Sequence, residues 1–173
     1  MRRPVIGVMG AGEPRPATLE AARRLGRLVA EAGWIVLTGG RPAGVMEAAG
    51  AGAKSVPGSI TLGILPGGPD EPVSEEVDIA VFTGVGEARN AINVLSSDAV
   101  VACGVEGPGT ASEVALALRL DRPTILLAPS PEAAAFFRTI QGAGRLYQVE
   151  TSEAAVELIE RRLGIARWPV KPA

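Results

Sequence analysis

The chain has 173 residues, of which 47% are hydrophobic, 21% charged and 3% aromatic, and its formal net charge is -2 at pH 7. Length and composition predict one globular domain whose core is built from Ala, Val, Leu and Ile, because aromatic side chains are too few to fill it. The weak negative charge argues against nucleic-acid binding, and the scarcity of aromatic residues argues against a platform for stacking single-stranded bases.

Short apolar runs alternate with helical patterns along the chain. Strands are predicted at residues 4–10, 34–40, 60–68, 77–86, 98–107, 122–128 and 145–150. Helices are predicted between and after them, at residues 18–32, 43–54, 87–96, 110–118, 131–140 and 151–164. This alternation predicts an α/β fold, a Rossmann-like, doubly wound and mostly parallel sheet of six to seven strands flanked by helices. One domain is expected over residues 1–173, with a core at about 4–163 and a loosely held tail at 164–173.

The residue types present exclude several kinds of chemistry. The chain has no histidine and one cysteine, so an intrachain disulfide and a histidine-based catalytic triad are both excluded. The cysteine, Cys103, ends an apolar run, which is typical of a small buried residue. No metal held by protein side chains is expected. Because no apolar run is long enough for a signal-peptide core or a membrane span, a cytoplasmic protein without membrane attachment is expected.

Four glycine-rich turns follow predicted strands, so we expect them at the edge of the sheet where ligands of open parallel sheets bind. Glycine lets the backbone approach a ligand closely, and the N–H groups at helix amino ends favour an anion. Together the turns predict a nucleotide-like or phosphate-bearing ligand, although a need for tight turns would account for any one of them. Their residues are Gly10 and Gly12; Thr38, Gly39, Gly40 and Gly44; Thr83, Gly84 and Gly86; and Gly104, Gly107 and Gly109.

Two well-known nucleotide-binding signatures are absent from the chain. No Gly-x-x-x-x-Gly-Lys-[Ser/Thr] segment occurs, which excludes a P-loop ATPase. The turn at residues 10–12 lacks the spacing of the dinucleotide fingerprint, and residues 38–40 stand where an acidic residue would hold the ribose of NAD. NAD is therefore not expected as a cofactor.

Arg89 opens the predicted helix at residues 87–96, and Asn93 lies one turn later on the same face. An arginine near a helix amino terminus is unfavourable, because the helix dipole prefers an acid there. A phosphate or carboxylate bound by the guanidinium would explain its position. A solvated stripe on a surface helix would explain the same pattern, and the residues alone leave both interpretations open.

Glu113 also has two interpretations. Thr110 and Glu113 have the spacing of a capping box, in which each side chain satisfies a free backbone N–H, and the pattern by itself favours this interpretation. In the functional alternative, Thr110 and the glycine amides bind phosphate. Glu113 would then be an acid, a base or an acceptor for a ribose hydroxyl.

Three segments together resemble the molybdenum cofactor carrier proteins. These belong to a Rossmann-like superfamily that also contains the Lonely Guy phosphoribohydrolases, often mislabelled lysine decarboxylases. The resemblance covers about residues 4–163, and it is carried by LTGGRPAGVMEAAGAGA (37–53), TGVGEARNAINVLSSDAVVACG (83–104) and GPGTASEVALAL (107–118).

The phosphoribohydrolases have a Pro-Gly-Gly-x-Gly-Thr-x-x-Glu signature and an arginine in the preceding helix. Gly109, Thr110 and Glu113 match the end of that signature, and Arg89 matches the arginine. Val105-Glu106 replaces the opening Pro-Gly, which is expected to place a carboxylate near the phosphate cradle and counts against hydrolase activity. The Gly-Pro-Gly-Thr form is instead similar to that of the carrier proteins.

The resemblance implies a homodimer or homotetramer that binds a phosphorylated pterin, most readily as a carrier or storage protein for the molybdenum cofactor. Two alternatives are a phosphoribohydrolase of cytokinin-type nucleoside 5′-monophosphates, with Arg89 and Glu113 as its catalytic residues, and a nucleotide sensor without catalysis. Pyridoxal phosphate is not expected, because no lysine stands in a strand-end turn to hold it. The expected ligand contacts are Gly10, Gly12, Thr38, Gly39, Gly40, Gly44, Arg89, Asn93, Gly107, Gly109 and Thr110.

Overall fold

The computed structural model describes residues 2–141 and 145–169. Within them the strands are β1 (Val5–Met9), β2 (Ile35–Thr38), β3 (Thr61–Leu65), β4 (Ile79–Phe82), β5 (Ala99–Cys103), β6 (Thr124–Leu127) and β7 (Leu146–Val149). The helices are α1 (Pro16–Glu31), α2 (Gly44–Lys54), α3 (Arg89–Leu95), α4 (Pro108–Arg119), α5 (Pro131–Ile140) and α6 (Ser152–Glu157). In the described part of the chain, no helix combines the length and the apolar character needed to cross a membrane.

The strands form one sheet in the order β4-β3-β2-β1-β5-β6-β7, and each neighbouring pair is parallel. The chain starts at the central strand β1, winds outward through β2, β3 and β4, and then returns to the other side of β1 as β5. The Rossmann-like, doubly wound sheet predicted from the sequence is therefore confirmed. The boundary between β1 and β5 is the topological switch point, where crossovers diverge and leave a crevice above the strand ends.

Several predicted boundaries shift for local reasons. The helix expected at 18–32 begins two residues earlier, because Pro16 at its first position has a backbone angle already suited to a helix. The helix expected at 87–96 divides into a 3₁₀ turn (Gly86–Ala88) and α3. The helix expected at 151–164 is capped by the Thr151 hydroxyl, and α6 continues into a π-helical turn (Leu158–Arg162).

The core is aliphatic, as the composition predicts. Val8, Val36 and Val101 are fully buried between the sheet and the helices. Cys103 is also buried, and burial raises the pKa of its thiol to about 12, so the thiol stays protonated and unreactive at neutral pH. The prediction of a small buried residue at this position is confirmed.

The tail that was expected to be loosely held is packed as far as residue 169. The Trp168 backbone N–H donates to the Ala32 carbonyl at 2.9 Å, and the Trp34 indole N–H donates to the Ala166 carbonyl at 2.8 Å. The Trp168 side chain packs on the main core cluster. The expectation was wrong for this segment because the two tryptophans, far apart in sequence, connect it to the end of α1; the remainder of the predicted tail, residues 170–173, lies outside the described residues.

Trp168→Ala is expected to lower the free energy of unfolding by about 2 kcal/mol, somewhat less than the loss for a fully buried aromatic residue. Urea denaturation of the full chain measures the change. Phe136→Ala is the matched control, because Phe136 is 56% exposed on α5 and its removal should change stability by less than half as much. Equal effects of the two substitutions would contradict a docked tail.

Candidate functional site

A cavity of about 290 Å³ lies at the carboxyl edge of the sheet, above the switch point. The turns that follow β1, β2 and β5 form its walls, and α3 and the 3₁₀ turn before it close one side. Its volume is at the lower end of the range for small-molecule sites, which begins at about 300 Å³. The site therefore lies where the fold class predicts a ligand.

The cavity brings together most of the residues predicted from the sequence. The predicted residues that line it are Gly10, Gly12, Gly39, Arg89, Gly107, Gly109, Thr110 and Glu113.

Four other predicted contacts lie behind this wall. The Thr38 hydroxyl accepts a hydrogen bond from the Gly40 N–H at 3.1 Å, so both residues shape the turn after β2. Gly44 has φ +53°, and a Cβ there would overlap the carbonyl of Ala11, so this glycine lets α2 begin against the turn after β1. Asn93 is fully buried and reaches the site only through Glu113.

The glycine turn at residues 84–86 lies outside the cavity wall. Gly84 and Gly86 have φ +65° and +60°, and a Cβ at either one would meet nothing within 4 Å. Backbone conformation alone therefore explains these two glycines. Three glycine turns, not four, converge on the site.

The amino end of α4 supplies hydrogen-bond donors to the cavity. Gly107 is the N-cap residue, and the first helical hydrogen bond runs from the Ala111 N–H to the Gly107 carbonyl. The amides of Gly109 and Thr110 consequently have no acceptor within the helix. Both residues line the cavity, so these N–H groups and the positive end of the helix dipole favour an anion there.

Arg89 is the main cation of the site. Its side chain lines the cavity and the residue is only 6% exposed, yet its Nε atom has no hydrogen-bond partner. Burial lowers the pKa of the Arg89 guanidinium, and the nearby carboxylate of Glu113 partly offsets this effect. The interpretation of Arg89 and Asn93 as a solvated stripe is therefore wrong, and Arg89 is a buried cation that lacks a counter-ion in contact.

Gly39 makes room for this guanidinium. A Cβ at Gly39 would overlap Arg89 Nη1, lie 2.9 Å from Arg89 Nη2 and lie 2.8 Å from the sulfur of Met46. The absence of a side chain at the end of β2 thus lets the guanidinium lie directly against the backbone. Gly39 acts on the site through Arg89, a role that glycine spacing alone does not reveal.

Gly39→Ala is expected to displace the Arg89 guanidinium and to weaken binding of a phosphorylated ligand about tenfold, with a smaller loss of stability. Isothermal titration calorimetry measures the affinity. Gly68→Ala is the matched control, because a Cβ there meets nothing within 4 Å and the residue is outside the cavity. An unchanged affinity in Gly39→Ala would show that the position of Arg89 is unimportant for binding.

Glu113 does not form the predicted capping box. The first turn of α4 has no side-chain cap, and Glu113 Oε1 instead accepts a hydrogen bond from Asn93 Nδ2 on α3 at 2.9 Å. The capping interpretation is wrong because α4 begins at Pro108, which puts Thr110 inside the helix rather than at its cap position. Burial raises the pKa of Glu113 to about 6, although Asn93 and Arg89 both act in the opposite direction. A carboxylate with this pKa can hold or release a proton near neutral pH.

Glu106 was expected near the phosphate cradle, but its carboxylate points away from the cavity. It accepts hydrogen bonds from the Arg15 backbone N–H at 2.7 Å, from Arg15 Nε at 2.8 Å and from the Thr18 hydroxyl at 2.6 Å. Burial alone would raise the pKa of Glu106, but these bonds outweigh it and hold the pKa below the ordinary value. Glu106 therefore ties the turn after β5 to the start of α1 through Arg15 and Thr18.

Sequence reasoning missed a second cation and several neighbours of the site. Arg41 lines the cavity at its mouth, where its guanidinium lies 3.4 Å from Glu71 Oε1 and 3.6 Å from Glu87 Oε1, longer than normal hydrogen bonds. Asn90, also in the wall, donates to the Ser112 hydroxyl at 3.0 Å. Arg41 could have been identified from its position directly after the double glycine at the end of β2, because that turn was already predicted to contact a ligand.

Protein side chains offer no ready metal cage in this part of the molecule. Across residues 2–141 and 145–169, no group of three or more His, Cys, Asp or Glu side chains is arranged to hold a metal ion. The donors around the cavity, which are backbone amides and guanidinium groups, suit oxyanions such as phosphate.

Comparison with known proteins confirms the resemblance seen in the sequence. The molybdenum cofactor binding protein of the phototrophic bacterium Rippkaea orientalis is 48% identical, with a TM-score of 0.89 over 94% of this chain and 99% of that one. The molybdenum cofactor carrier protein of Chlamydomonas reinhardtii is 46% identical, with a TM-score of 0.87 and the same coverage. An uncharacterized protein of Archaeoglobus fulgidus is 44% identical over 124 residues, which are 72% of this chain and 80% of that protein. Residues 3–156 match the model of one protein family, and the chain accordingly belongs to the SLOG cluster4 family, with molybdenum cofactor carrier proteins among its relatives.

Proposed function

We propose that this chain binds the molybdenum cofactor, or a closely related phosphorylated pterin, in the cavity above the switch point and carries or stores it. The solved relatives that support this proposal are a molybdenum cofactor binding protein and a molybdenum cofactor carrier protein, which align with nearly the whole chain. The proposal concerns binding and protection of the ligand, with no covalent step.

One observation carries the proposal, namely the unpaired cation Arg89 in the wall of the cavity. A buried guanidinium without a partner is costly, so its presence is best explained by a ligand that supplies the missing acceptor. Gly109 and Thr110, whose amides lack an acceptor within the helix, line the same cavity and add donors for a phosphate group. Arg41 also lines this cavity, but its charge is offset by Glu71 and Glu87.

The residues present fit the cofactor without supplying a metal ligand. When bound, the molybdenum cofactor brings its metal coordinated by its own organic part, so the chain needs donors for the phosphate and a shaped, partly apolar wall for the ring system. Met46 and Ala43 provide apolar surface beside Arg41, and the α4 amides and Arg89 provide the donors. The chain's contribution is then to hold the anion and limit the access of water and oxygen to the ligand.

A direct test is anaerobic incubation of the purified chain with molybdenum cofactor, followed by gel filtration and measurement of molybdenum in the protein peak. We expect molybdenum to co-elute with the protein and the bound cofactor to survive exposure to air longer than the free cofactor. Unfolded protein would fail to bind for reasons unrelated to the site, so circular dichroism is used to check that each preparation is folded. A protein peak free of molybdenum would overturn the proposal.

The phosphoribohydrolase alternative has one observation in its favour. Arg89 and Glu113 line the same cavity, and the pKa of Glu113, raised by burial to about 6, suits a general acid or base. Incubation with AMP or a cytokinin monophosphate tests it, with free base and ribose 5-phosphate as the products. Turnover that is lost in Glu113→Ala would establish the hydrolase and displace the pure carrier.

We also propose that the chain works as a homodimer or homotetramer and does not bind nucleic acid. Exposed apolar side chains at the sheet edge and on α3, including Ile79, Val81 and Leu95, support association, because such surface is costly to leave in water. The net charge of -2 supports the second statement. Light scattering measures the first, and a monomer at micromolar concentration would contradict it.

A further inference from the structure

Glu113 adds a feature to the cavity that phosphate binding does not explain. Its Oε1 atom is engaged by Asn93, whereas Oε2 has no donor among the described residues and is not enclosed by protein atoms. Glu113 is 6% exposed and lines the cavity, so the cavity is where Oε2 meets solvent. A negatively charged acceptor therefore lies close to Arg89 and the amides of α4, which favour an anion.

A carboxylate repels phosphate, so Glu113 must face a part of the ligand that carries hydrogen-bond donors. A free carboxylate oxygen, together with the remaining lone pair of Oε1, matches two N–H groups that lie side by side. The two adjacent hydroxyls of a ribose could use the same acceptor, and the comparison of nucleotides below separates this case from a ring edge. The residue thus points to a ring edge with adjacent N–H donors.

Arg89 supplies the complementary donor. It interacts electrostatically with Glu113, but no ion pair joins the two side chains, and both line the cavity. The pair therefore presents an acceptor and a donor next to each other. Since a guanidinium has five N–H donors, a contact with a ring carbonyl leaves others for an anionic group.

We propose that Glu113 and Arg89 together recognise a 2-amino-4-oxopyrimidine edge, the ring edge that pterins and guanine share. Glu113 accepts from the amino group and the neighbouring ring N–H, and Arg89 donates to the ring carbonyl. The amides at the start of α4 remain free to bind the phosphate. The two ends of the ligand would then contact different parts of α4, the phosphate its first turn and the ring edge Glu113. This inference rests on the proposed function and defines the chemical class of ligand that the cavity selects.

Other charged groups near Glu113 determine how strongly it accepts. Glu87 in the 3₁₀ turn raises the pKa of Glu113, while Asn93 and Arg89 on α3 lower it, and burial has the largest effect. The ionised carboxylate accepts two N–H bonds, whereas the protonated form accepts poorly. The preference for this ring edge should consequently strengthen as the pH rises through about 6.

The test compares GMP with IMP, which differ only in the 2-amino group, and adds AMP and inorganic phosphate as further probes. Calorimetry at pH 7.5 on the wild-type chain is expected to show GMP binding about tenfold more tightly than IMP, with AMP weakest of the nucleotides. Pterin-6-carboxylate and its 2-oxo analogue, followed by fluorescence, should show the same order. In Glu113→Gln the GMP:IMP ratio should fall to about two.

Glu20→Gln is the matched control, because Glu20 is exposed on α1 and lies outside the cavity, so its replacement removes a carboxylate without touching the site and should keep the GMP:IMP ratio. Equal binding of GMP and IMP by the wild-type chain overturns the inference without any variant. Equal binding of all three nucleotides, weakened together in Glu113→Gln, would assign Glu113 to the ribose and also overturn it. Those two outcomes leave the proposed function intact, whereas failure of every phosphorylated probe and of the molybdenum cofactor to bind overturns both.

Discussion

Arg89→Met is expected to weaken molybdenum cofactor binding at least about 100-fold and, at the same time, to stabilise the folded chain by about 1–2 kcal/mol. The first effect follows from the loss of charge-assisted hydrogen bonds, each worth about 1.5–3 kcal/mol in a buried site. The second follows because methionine fills similar space without the cost of burying a cation that has no partner. Molybdenum retained after gel filtration at graded cofactor concentrations measures the first effect, and thermal unfolding of the ligand-free chain measures the second.

Arg119→Met provides the matched control. Arg119 is exposed in the last turn of α4 and lies outside the cavity wall, so its replacement removes the same charge without touching the site. It should bind the cofactor normally and lose a few tenths of a kcal/mol from the helix dipole. If Arg89→Met retained full affinity, or if it unfolded at a lower temperature than the wild type, Arg89 would be a structural residue and the proposed function would lose its main support.

The opposite signs of these two effects reflect how the site is built. A binding group that waits for a ligand is uncompensated in the free protein, so residues selected for binding tend to cost stability. Arg89 Nε, which is buried without a partner, shows this cost directly. Bound ligand should restore the balance, and the wild-type chain should therefore gain more thermal stability from the cofactor than Arg89→Met does.

The sheet could be predicted from the sequence because its signals are local. Short Val- and Ile-rich runs such as residues 98–103, separated by helical periodicity, allow few folds other than a parallel sheet. The glycines that directly follow β1, β2 and β5 are also visible in the sequence, and they predict a ligand site at the carboxyl edge of the sheet. Strand order is also constrained, since right-handed crossovers limit the arrangements open to alternating strands and helices.

The details of the site could not be predicted because they depend on contacts between distant segments. Thr110 and Glu113 have the spacing of a cap, but the cap position falls on Gly107, and the partner of Glu113 is Asn93, on another helix. Glu106 is adjacent to the cradle in sequence, yet its carboxylate is bound by Arg15, just before α1, and by Thr18 in α1. Side-chain direction decides each case, and spacing along the chain carries no information about it.

Gly39 shows a third limit of predicting the site from the sequence. Its presence at a strand end is visible in the sequence and suggests close approach of a ligand. The structure assigns the close approach first to the guanidinium of Arg89, which is 50 positions further along the chain. A glycine can thus be needed by a binding site without being its direct ligand contact.

Glu113→Gln is expected to raise the free energy of unfolding by about 2 kcal/mol above pH 7, and to leave it unchanged below pH 4.5. Burial raises the pKa of this carboxyl from its ordinary value of 4.5 to about 6, so the folded chain binds the proton more tightly than the unfolded chain does. The stabilisation that comes from protonated Glu113 is fully present below pH 4.5 and is lost as the pH rises through about 6. A difference of about 1.5 pKa units corresponds to about 2 kcal/mol. Glutamine avoids this loss because it stays neutral and can still accept from Asn93.

Urea denaturation of both proteins between pH 4.5 and 8 measures the difference in their free energies of unfolding. This difference should increase between pH 4.5 and 7 and then remain constant. Glu20→Gln is the control, since Glu20 is exposed on α1 and outside the cavity, and its replacement should give no such step. A parallel shift at all pH values would mean that the glutamine introduced by Glu113→Gln packs better for reasons unrelated to charge. Loss of stability above pH 7 would show instead that ionised Glu113 is stabilised by Arg89 in the free protein. The guanidinium would then already have its counter-ion, and neither the phosphate nor the ring edge would need to supply one.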